Sequence, residues 1–145
     1  WTSAFLWQDG MPQPDVLASC PETAALMADL PLTKIGGLAP SVLFSKLDAG
    51  AKIDPHTGLL NCRLICHLPL TVPAGCGLRV GEDSRETERG SSWAFDDSVN
   101  HEAWNNGEEP RTILLFDVWR PELDSDERHL ITSVLEAVSG FGKVG

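Results

Sequence analysis

The chain has 145 residues, 42% of them hydrophobic, and a formal net charge of −10. This length suits one globular domain over residues 1–145, and the composition excludes collagen, a coiled coil and a disordered chain. The acidic balance, with no cluster of lysine or arginine, argues against nucleic-acid binding. The longest apolar runs, such as residues 112–118, are too short for a transmembrane helix.

The sequence begins at Trp1 rather than at methionine, and we interpret it as excised or processed. A signal peptide or membrane anchor upstream would not be visible in it. The cellular location and the oligomeric state therefore stay open, with the cytoplasm as the default expectation.

The first predicted helix has Ser19 or Cys20 at its cap and Pro21 in its first turn, continues through residues 23–30, and ends before Pro31. Short runs rich in β-forming or apolar residues follow, separated by glycine, proline, asparagine and aspartate. Asn105-Asn106-Gly107 is a strong turn signal between the last two runs. Strands at this spacing predict a sandwich or barrel, including jelly rolls. The runs are residues 42–44, 59–70, 78–80, 92–95, 99–104 and 111–119.

A second helix is predicted near the end of the chain, where apolar residues recur at helical spacing and Gly140 is placed to end the helix. We expect this helix to pack on the outside of the β core. Its acidic residues favour the helix N-terminus and indicate capping charge rather than a site. The apolar positions are Leu130, Ile131, Val134, Leu135 and Val138, and the acidic ones are Asp124, Asp126 and Glu127.

The four cysteines invite a disulfide or metal interpretation. Cys62 and Cys66 lie in one predicted strand, where four residues span about 13 Å, too far for a mutual disulfide or one zinc ion. We interpret this pair as buried free thiols. Cys20 and Cys76 lie in loop-like contexts, and a bridge between them is possible.

Two histidines are candidates for a metal site. His56 follows Pro55 and precedes Gly58, which implies a loop or strand end, and His101 lies just beyond a turn. Imidazoles at two strand ends suit a metal at the mouth of a β-barrel, but they do not select among iron, zinc, copper and nickel. The alternative is two ordinary polar residues.

The alternation of side chains along each strand makes His67 and Arg111 candidate site residues. Arg63, Ile65 and His67 share one strand face, which is either wet or the wall of a polar pocket. The opposite face is an apolar stripe that should pack on another layer. Arg111 is a lone cation at the start of an apolar strand, suited to gripping a carboxylate, with a surface ion pair as the alternative.

These residues, in this order and over nearly the whole chain, resemble the aspartyl/asparaginyl β-hydroxylases. The segments that carry the resemblance are Leu6-Trp7-Gln8, Gly10, Phe44-Ser45, Pro55-His56-Thr57-Gly58, Asn61-Cys62-Arg63-Leu64, His67-Leu68, Phe95-Asp96-Asp97-Ser98, His101-Glu102, Trp104, Arg111, Asp117-Val118-Trp119 and Pro121-Glu122-Leu123.

The resemblance implies a mainly β fold, a double-stranded β-helix or jelly roll with flanking N- and C-terminal helices. It also implies an Fe(II)- and 2-oxoglutarate-dependent dioxygenase that uses O2 to hydroxylate an unactivated C–H bond. His56 and His101 match the iron ligands. Gly58 stands where the common facial triad has a carboxylate.

The same resemblance implies that Arg111 and Ser45 bind the distal carboxylate of 2-oxoglutarate, with His67 near its other carboxylate. Members that act on aspartyl residues carry an arginine where this chain has Ile65. A substrate carboxylate would then lack a partner unless Arg63 compensates. We therefore expect poor turnover of aspartyl peptides, and the substrate stays open between peptidyl Asp/Asn and a less acidic small molecule or acyl chain.

Three alternatives remain at this stage. A 2-oxoglutarate-dependent halogenase also has a small residue at the position of Gly58, and a chloride-dependent product would reveal it. A cupin-like metal protein that is not an oxygenase would need a third ligand, for which His67 is the candidate, and metal analysis would test this. A β-sandwich binding module would give His56, His101 and Arg111 no shared role.

Overall fold

The computed structural model describes residues 1–142, in which ten strands and three helices are found. The strands are β1 (Thr2–Gln8), β2 (Met11–Pro12), β3 (Val42–Leu47), β4 (Lys52–His56), β5 (Arg63–Thr71), β6 (Cys76–Val80), β7 (Asp83–Glu86), β8 (Trp93–Phe95), β9 (His101–Asn105) and β10 (Arg111–Trp119). The helices are α1 (Pro14–Ser19), α2 (Pro21–Ala28) and α3 (Ser125–Phe141).

The strands form two antiparallel sheets with a cavity between them. The larger sheet has the order β2-β1-β3-β10-β5-β8, and the smaller has the order β4-β9-β6-β7. Neighbours in space are distant in sequence, as in β3 beside β10 and β4 beside β9. Sheets interleaved in this way, with helices at their flanks, confirm the predicted jelly roll.

The two faces of the larger sheet have different neighbours, because side chains alternate along each strand. In β10, Ile113 and Leu115 line a cavity between the sheets, whereas Leu114 belongs to an apolar cluster on the other face. That cluster also contains Leu6, Met27, Leu32 and Val42, which joins β1, α2 and β3 to the sheet. The predicted apolar stripe of β5 packs there through Leu68 and Leu70.

The C-terminal helix packs against the protein through two of its five predicted apolar positions. Ile131 and Leu135 pack on a cluster that contains Trp119, whereas Leu130, Val134 and Val138 are exposed. Its N-terminus has the expected capping role, because the side chain of Asp124 accepts from the backbone of Glu127 and the side chain of Glu127 accepts in return. No helix within residues 1–142 has the length and apolar character needed to cross a membrane.

Three expectations need correction. Gly140 does not end α3, which continues to Phe141, because one glycine costs only about 1 kcal/mol of helix propensity. The strand expected from residue 59 starts at Arg63, since Leu60 and Cys62 are buried in a loop under α3. Strands β1, β2, β4 and β7 and helix α1 were not predicted from the sequence.

The four cysteines are free thiols. This confirms that Cys62 and Cys66 are free, but only Cys62 is buried, Cys66 is half-buried, and Cys62 lies just before β5 rather than in it. It rules out the bridge between Cys20 and Cys76. The Cys20 thiol donates to the carbonyl of Val16 at 3.0 Å, and the Cys76 thiol donates to Asn105 Oδ1 at 3.2 Å.

Asn105 joins the two sheets at the turn that its sequence signal predicted. Its side chain is fully buried, and Nδ2 donates to the carbonyls of Leu47 in β3 at 3.0 Å and Glu109 at 2.8 Å. Its Oδ1 accepts from the backbone of Gly107 and the thiol of Cys76. The buried side-chain amide of Asn105 thus makes hydrogen bonds to four groups, which come from the two sheets and the turn between β9 and β10.

We predict that Asn105→Ala lowers the free energy of unfolding by about 2–4 kcal/mol, because it leaves buried carbonyl groups without donors. Asn106→Ala, at the exposed neighbouring position, serves as the matched control and should change stability by less than about 0.5 kcal/mol. Urea unfolding of both variants measures the difference. Equal stability of the two variants would contradict the role assigned to Asn105.

Candidate active site

A cavity of about 120 Å³ lies between the two sheets, and we call it the inner cavity. It brings together five of the seven residues selected from the sequence as site candidates, and a sixth, Ile65, forms part of its wall. Its lining residues are Trp1, Ser45, Ile53, His56, Ile65, His67, Leu78, Phe95, His101, Ala103, Arg111, Ile113 and Leu115.

His56 and His101 face each other because their strands are paired. His56 ends β4, His101 begins β9, and the two residues are partners in the antiparallel register. A bulge between Ile53 and His56 shifts that register and re-aims the end of β4. The two ring centroids are 4.2 Å apart, with the ring planes tilted by 55°.

Both histidines use the same ring nitrogen for a hydrogen bond to a backbone carbonyl. His56 Nδ1 lies 2.7 Å from the carbonyl of Asp54, and His101 Nδ1 lies 2.8 Å from the carbonyl of Val99. A carbonyl can only accept, so each Nδ1 carries the hydrogen and each Nε2 keeps a free lone pair. In metal-binding histidines, a backbone carbonyl commonly accepts from one ring nitrogen in this way, which fixes the ring and leaves the other nitrogen able to bind the metal.

Burial lowers the pKa of His101, and the neighbouring His56 acts in the same direction. The hydrogen bond to Val99 and the charge of Asp97 oppose this effect without reversing it. His101 is therefore held in the neutral form that binds a metal. Within residues 1–142, no group of three or more histidine, cysteine, aspartate or glutamate side chains is placed to hold a metal ion.

Close packing leaves no room for a side chain at Gly58. Its N–H donates to the carbonyl of Asp97 at 2.6 Å, and a Cβ at this position would overlap the Asp97 carboxylate. Asp97 is buried, and its Oδ1 has no hydrogen-bond partner. The sequence motif contained Asp97, but nothing local to it indicated that this carboxylate would fill the space beside Gly58.

Arg111 is a buried cation with no carboxylate partner among residues 1–142. Only 2% of its surface is exposed, and its Nε has no acceptor. Burial lowers the pKa of Arg111, and the nearby Cys76 thiol opposes this effect only in part. An unpaired guanidinium in such a place is costly, so the site is suited to an anionic ligand that enters the cavity.

Ser45 lies near Arg111 on the same wall. It pairs with Ile113 in the register between β3 and β10, two residues along from Arg111. Ser45 Oγ accepts from the indole nitrogen of Trp1 at 2.9 Å, so its own hydrogen remains available to an acceptor in the cavity. A carboxylate gripped by Arg111 is such an acceptor.

His67 adds a neutral imidazole to the cavity wall. Burial, together with the charges of Arg111 and His101, lowers its pKa to about 3. Its ring makes an edge-to-face contact with Phe95 at 5.1 Å, and Phe95 makes a similar contact with His101 at 5.2 Å. At neutral pH His67 can therefore accept or donate a hydrogen bond without bringing charge.

Ile65 and Arg63 share a strand face but differ in their surroundings. Ile65 is buried and lines the inner cavity. The Arg63 guanidinium lies outside it, bonded to Asp117 Oδ2 at 2.9 Å and Asp97 Oδ2 at 3.1 Å. Burial acts against its charge, but Asp117 and Asp97 together raise the pKa of Arg63. The structure does not bring Arg63 together with the other candidate residues.

Comparison with known proteins places this geometry in context. A family model described as aspartyl/asparaginyl beta-hydroxylase matches residues 1–121. The chain is 35% identical over 135 residues to the mouse protein of that name and 34% identical to the human one. Each alignment covers 92% of this chain but only 18% of the relative, so the chain spans less than a fifth of these relatives.

Two further similarities agree with these. Human aspartate beta-hydroxylase domain-containing protein 2 is 31% identical over 134 residues, which cover 90% of this chain and 36% of that protein. The crystal structure of a cupin 2 conserved barrel domain protein from Salinispora arenicola superposes with a TM-score of 0.52 at 11% identity. It covers 91% of this chain and 82% of that one, and it supports the barrel fold alone.

We predict that Arg63→Met lowers the free energy of unfolding by roughly 3–5 kcal/mol, because it leaves two buried carboxylates without a counter-charge. Arg89→Met, at an exposed position, is the control and should have an effect below about 0.5 kcal/mol. Thermal and urea unfolding measure both variants. If Arg63→Met kept the parent stability and lost only activity, Arg63 would belong to the substrate site instead.

Proposed function

The chain belongs to the aspartyl/asparaginyl β-hydroxylase family, and we propose that it is an iron(II)- and 2-oxoglutarate-dependent dioxygenase that hydroxylates an unactivated C–H bond. The observation that carries the proposal is the content of the inner cavity. Two histidines whose Nε2 atoms have no hydrogen-bond partner among residues 1–142 lie in the same cavity as a buried guanidinium that has no carboxylate partner among those residues.

In this proposal His56 and His101 hold the metal through Nε2. Neutral imidazole suits iron(II), and the hydrogen bonds to Asp54 and Val99 hold both rings in place. The Asp97 carboxylate, packed against Gly58 two residues from His56, adds negative charge beside the pair. That charge favours a bound cation, and the residues present therefore fit iron(II).

The remaining polar residues of the cavity fit a dicarboxylate. Arg111 can grip the distal carboxylate of 2-oxoglutarate through two parallel hydrogen bonds, and the Ser45 hydroxyl can add a third. His67, neutral at physiological pH, can donate one N–H to the other carboxylate without repelling the metal. Apolar side chains such as Ile113 and Leu115 complete the wall and exclude water.

When bound, iron(II), 2-oxoglutarate and O2 supply the oxidation that replaces a substrate hydrogen by hydroxyl, with succinate and CO2 as the other products. The chain contributes orientation. The paired register of β4 and β9 fixes the two imidazoles, and the β3–β10 pairing fixes Ser45 and Arg111 on a facing wall. Phe95 packs on both His67 and His101, which limits the movement of either ring.

The packing at Gly58 favours hydroxylation over halogenation. A halide beside Gly58 would have to occupy space that the buried Asp97 carboxylate already fills, since even a Cβ at this position would overlap that carboxylate. Product formation should therefore not depend on chloride. The alternative of a cupin-like metal protein that uses His67 as a third ligand is tested by identifying the bound metal and by succinate formation from 2-oxoglutarate.

We predict that His56→Ala or His101→Ala abolishes iron(II) binding and turnover while the fold is kept. Anaerobic titration with iron(II) measures binding, and circular dichroism measures the fold. His129→Ala, on the exposed surface of α3, is the matched control and should bind iron like the parent. Iron binding that survived either of the first two changes would refute the assignment.

We predict that Arg111→Ala raises the apparent KM for 2-oxoglutarate far more than Ser45→Ala does. Charged hydrogen bonds contribute roughly 1.5–3 kcal/mol and neutral ones about 1 kcal/mol, which corresponds to factors of roughly 10–150 and about 5. Succinate formation at varied 2-oxoglutarate concentration measures both. A larger effect of Ser45→Ala would mean that the carboxylate is bound elsewhere.

A further inference from the structure

We infer that the exposed face of α3 is a self-association surface, which packs antiparallel against the same face of a second copy of this chain. This face consists of Leu130, Val134, Ala137, Val138 and Phe141, and we call it the α3 stripe. Within residues 1–142 it contributes no side chain to the inner cavity, so the inference is independent of the proposed function.

The C-terminal helix has two apolar faces, and the barrel covers only one of them. Ile131 and Leu135 pack on the cluster that contains Trp119, and they form the covered face. A surface helix usually has one apolar face, while its opposite side is polar or charged. The large side chains of the α3 stripe are 61–88% exposed, so residues 1–142 leave this second apolar face largely uncovered.

The spacing of the α3 stripe is that of a contact between two helices. Its members at Leu130, Val134, Ala137 and Phe141 follow one another at intervals of four, three and four residues. These intervals are the a/d pattern with which one helix packs against another. The small side chain of Ala137 in the middle of the stripe allows two helix axes to approach closely.

A groove of about 290 Å³ lies beside the stripe, lined by side chains of α3 and of the loop before β5, among them Leu59, Ile131 and Val134. Phe141 lies about 12 Å further along α3, at about 1.5 Å per residue, and 88% of its surface is exposed. In an antiparallel pair, Val134 of one copy can lie opposite Val138 of the other. The same register sets Phe141 opposite Ile131, over the groove of the second copy. One face thus carries both a projecting ring and a groove to receive it, as a two-fold symmetric contact requires.

The charges of the chain favour this face and this orientation. With a net charge of −10, most contacts between two copies would bring like charges together. Residues 130–142 include one charged residue, Glu136, whose Oε1 accepts from the backbone of Gly36 at 2.8 Å, away from the stripe. The acidic first turn lies at the other end of α3. In the antiparallel register the two first turns are about 30 Å apart, beyond the Debye length of about 8 Å, whereas a parallel pair would set them side by side.

The exposed apolar area suits a weak dimer. Leu59, which is 85% exposed, extends the stripe across the groove. With the four large side chains of α3 it forms a patch on the order of 600 Å², at the upper end of what a monomer shows in one place. A standard stable interface covers about 800 Å² per partner, so we expect a dimer in a concentration-dependent equilibrium.

Sedimentation velocity of the purified chain, over a wide range of protein concentration, tests the inference. We expect the average mass to rise from that of one chain towards that of two, because association follows mass action. A chain that stayed monomeric up to about 1 mM would overturn the inference. Trimers or open polymers would also overturn it, since a two-fold contact closes on itself.

Two substitutions with complementary charges test the antiparallel register. Val134→Asp and Val138→Lys each place an unpaired charge in the contact, and each alone should raise the dissociation constant of the dimer at least about tenfold. An equimolar mixture of the two variants should associate, because the register sets the new carboxylate of one copy opposite the new ammonium of the other. Dimers that survived each single change, or a mixture that stayed monomeric, would overturn the inference.

The matched control uses one substitution at two helix positions of equal exposure. Leu130 is 64% exposed on α3, and Leu26 is 66% exposed on α2, outside the stripe. Leu130→Asp should raise the dissociation constant at least about fivefold, whereas Leu26→Asp should leave it unchanged. Leu59→Asp changes the groove from its loop side and should also weaken the dimer, which keeps the test valid if a charge in α3 destabilises that helix. Equal effects of Leu26→Asp and Leu130→Asp, or no effect of Leu59→Asp, would overturn the inference.

Discussion

Arg63 bonds two buried carboxylates that come from distant parts of the chain, Asp97 before β9 and Asp117 in β10. Asp117 in turn accepts from the backbone of Ser41 at 2.8 Å, which fixes the start of β3. Asp97 is thereby held against Gly58, in the loop that follows His56. The position of the segment that contains His56 and Gly58 thus depends on a buried ion network, in which each charge is tolerated only because the others are present.

The two buried arginines of this protein have opposite electrostatic surroundings. Arg63 has two carboxylate partners, so its charge is satisfied by the fold and is not available to a ligand. Arg111, with 2% of its surface exposed, has no acid partner within residues 1–142 and faces a cavity. Burial alone therefore does not distinguish a structural cation from a ligand-binding one, whereas the presence of a protein counter-charge does.

The register between strands controls how the site can act. His56 and His101 meet because β4 and β9 pair across a bulge, and Ser45 and Arg111 share a wall because β3 pairs with β10. Phe95 contacts both His67 and His101. Strand pairing therefore determines which of the candidate side chains meet in the inner cavity.

The features that depend on residues close together in the sequence could be predicted from the sequence. Alternation along β5 placed Ile65 and His67 on one face, the Asn105 turn signal located a strand connection, and the acidic residues predicted the N-terminus of α3. The order of the motifs predicted the family and, through it, the jelly roll. These features are local because strand period, turn chemistry and helix capping act over a few residues.

Which groups pair or pack together across distant parts of the chain could be seen only in the tertiary structure. Arg63 finds partners 34 and 54 positions away, and no spacing rule connects such residues. The same holds for the Asp97 carboxylate beside Gly58 and for the apolar side of α3, where Ile131 and Leu135 are covered while Leu130 and Val134 are exposed. Helical periodicity marks an apolar face, but the shape of the neighbouring sheet determines which part of that face is buried.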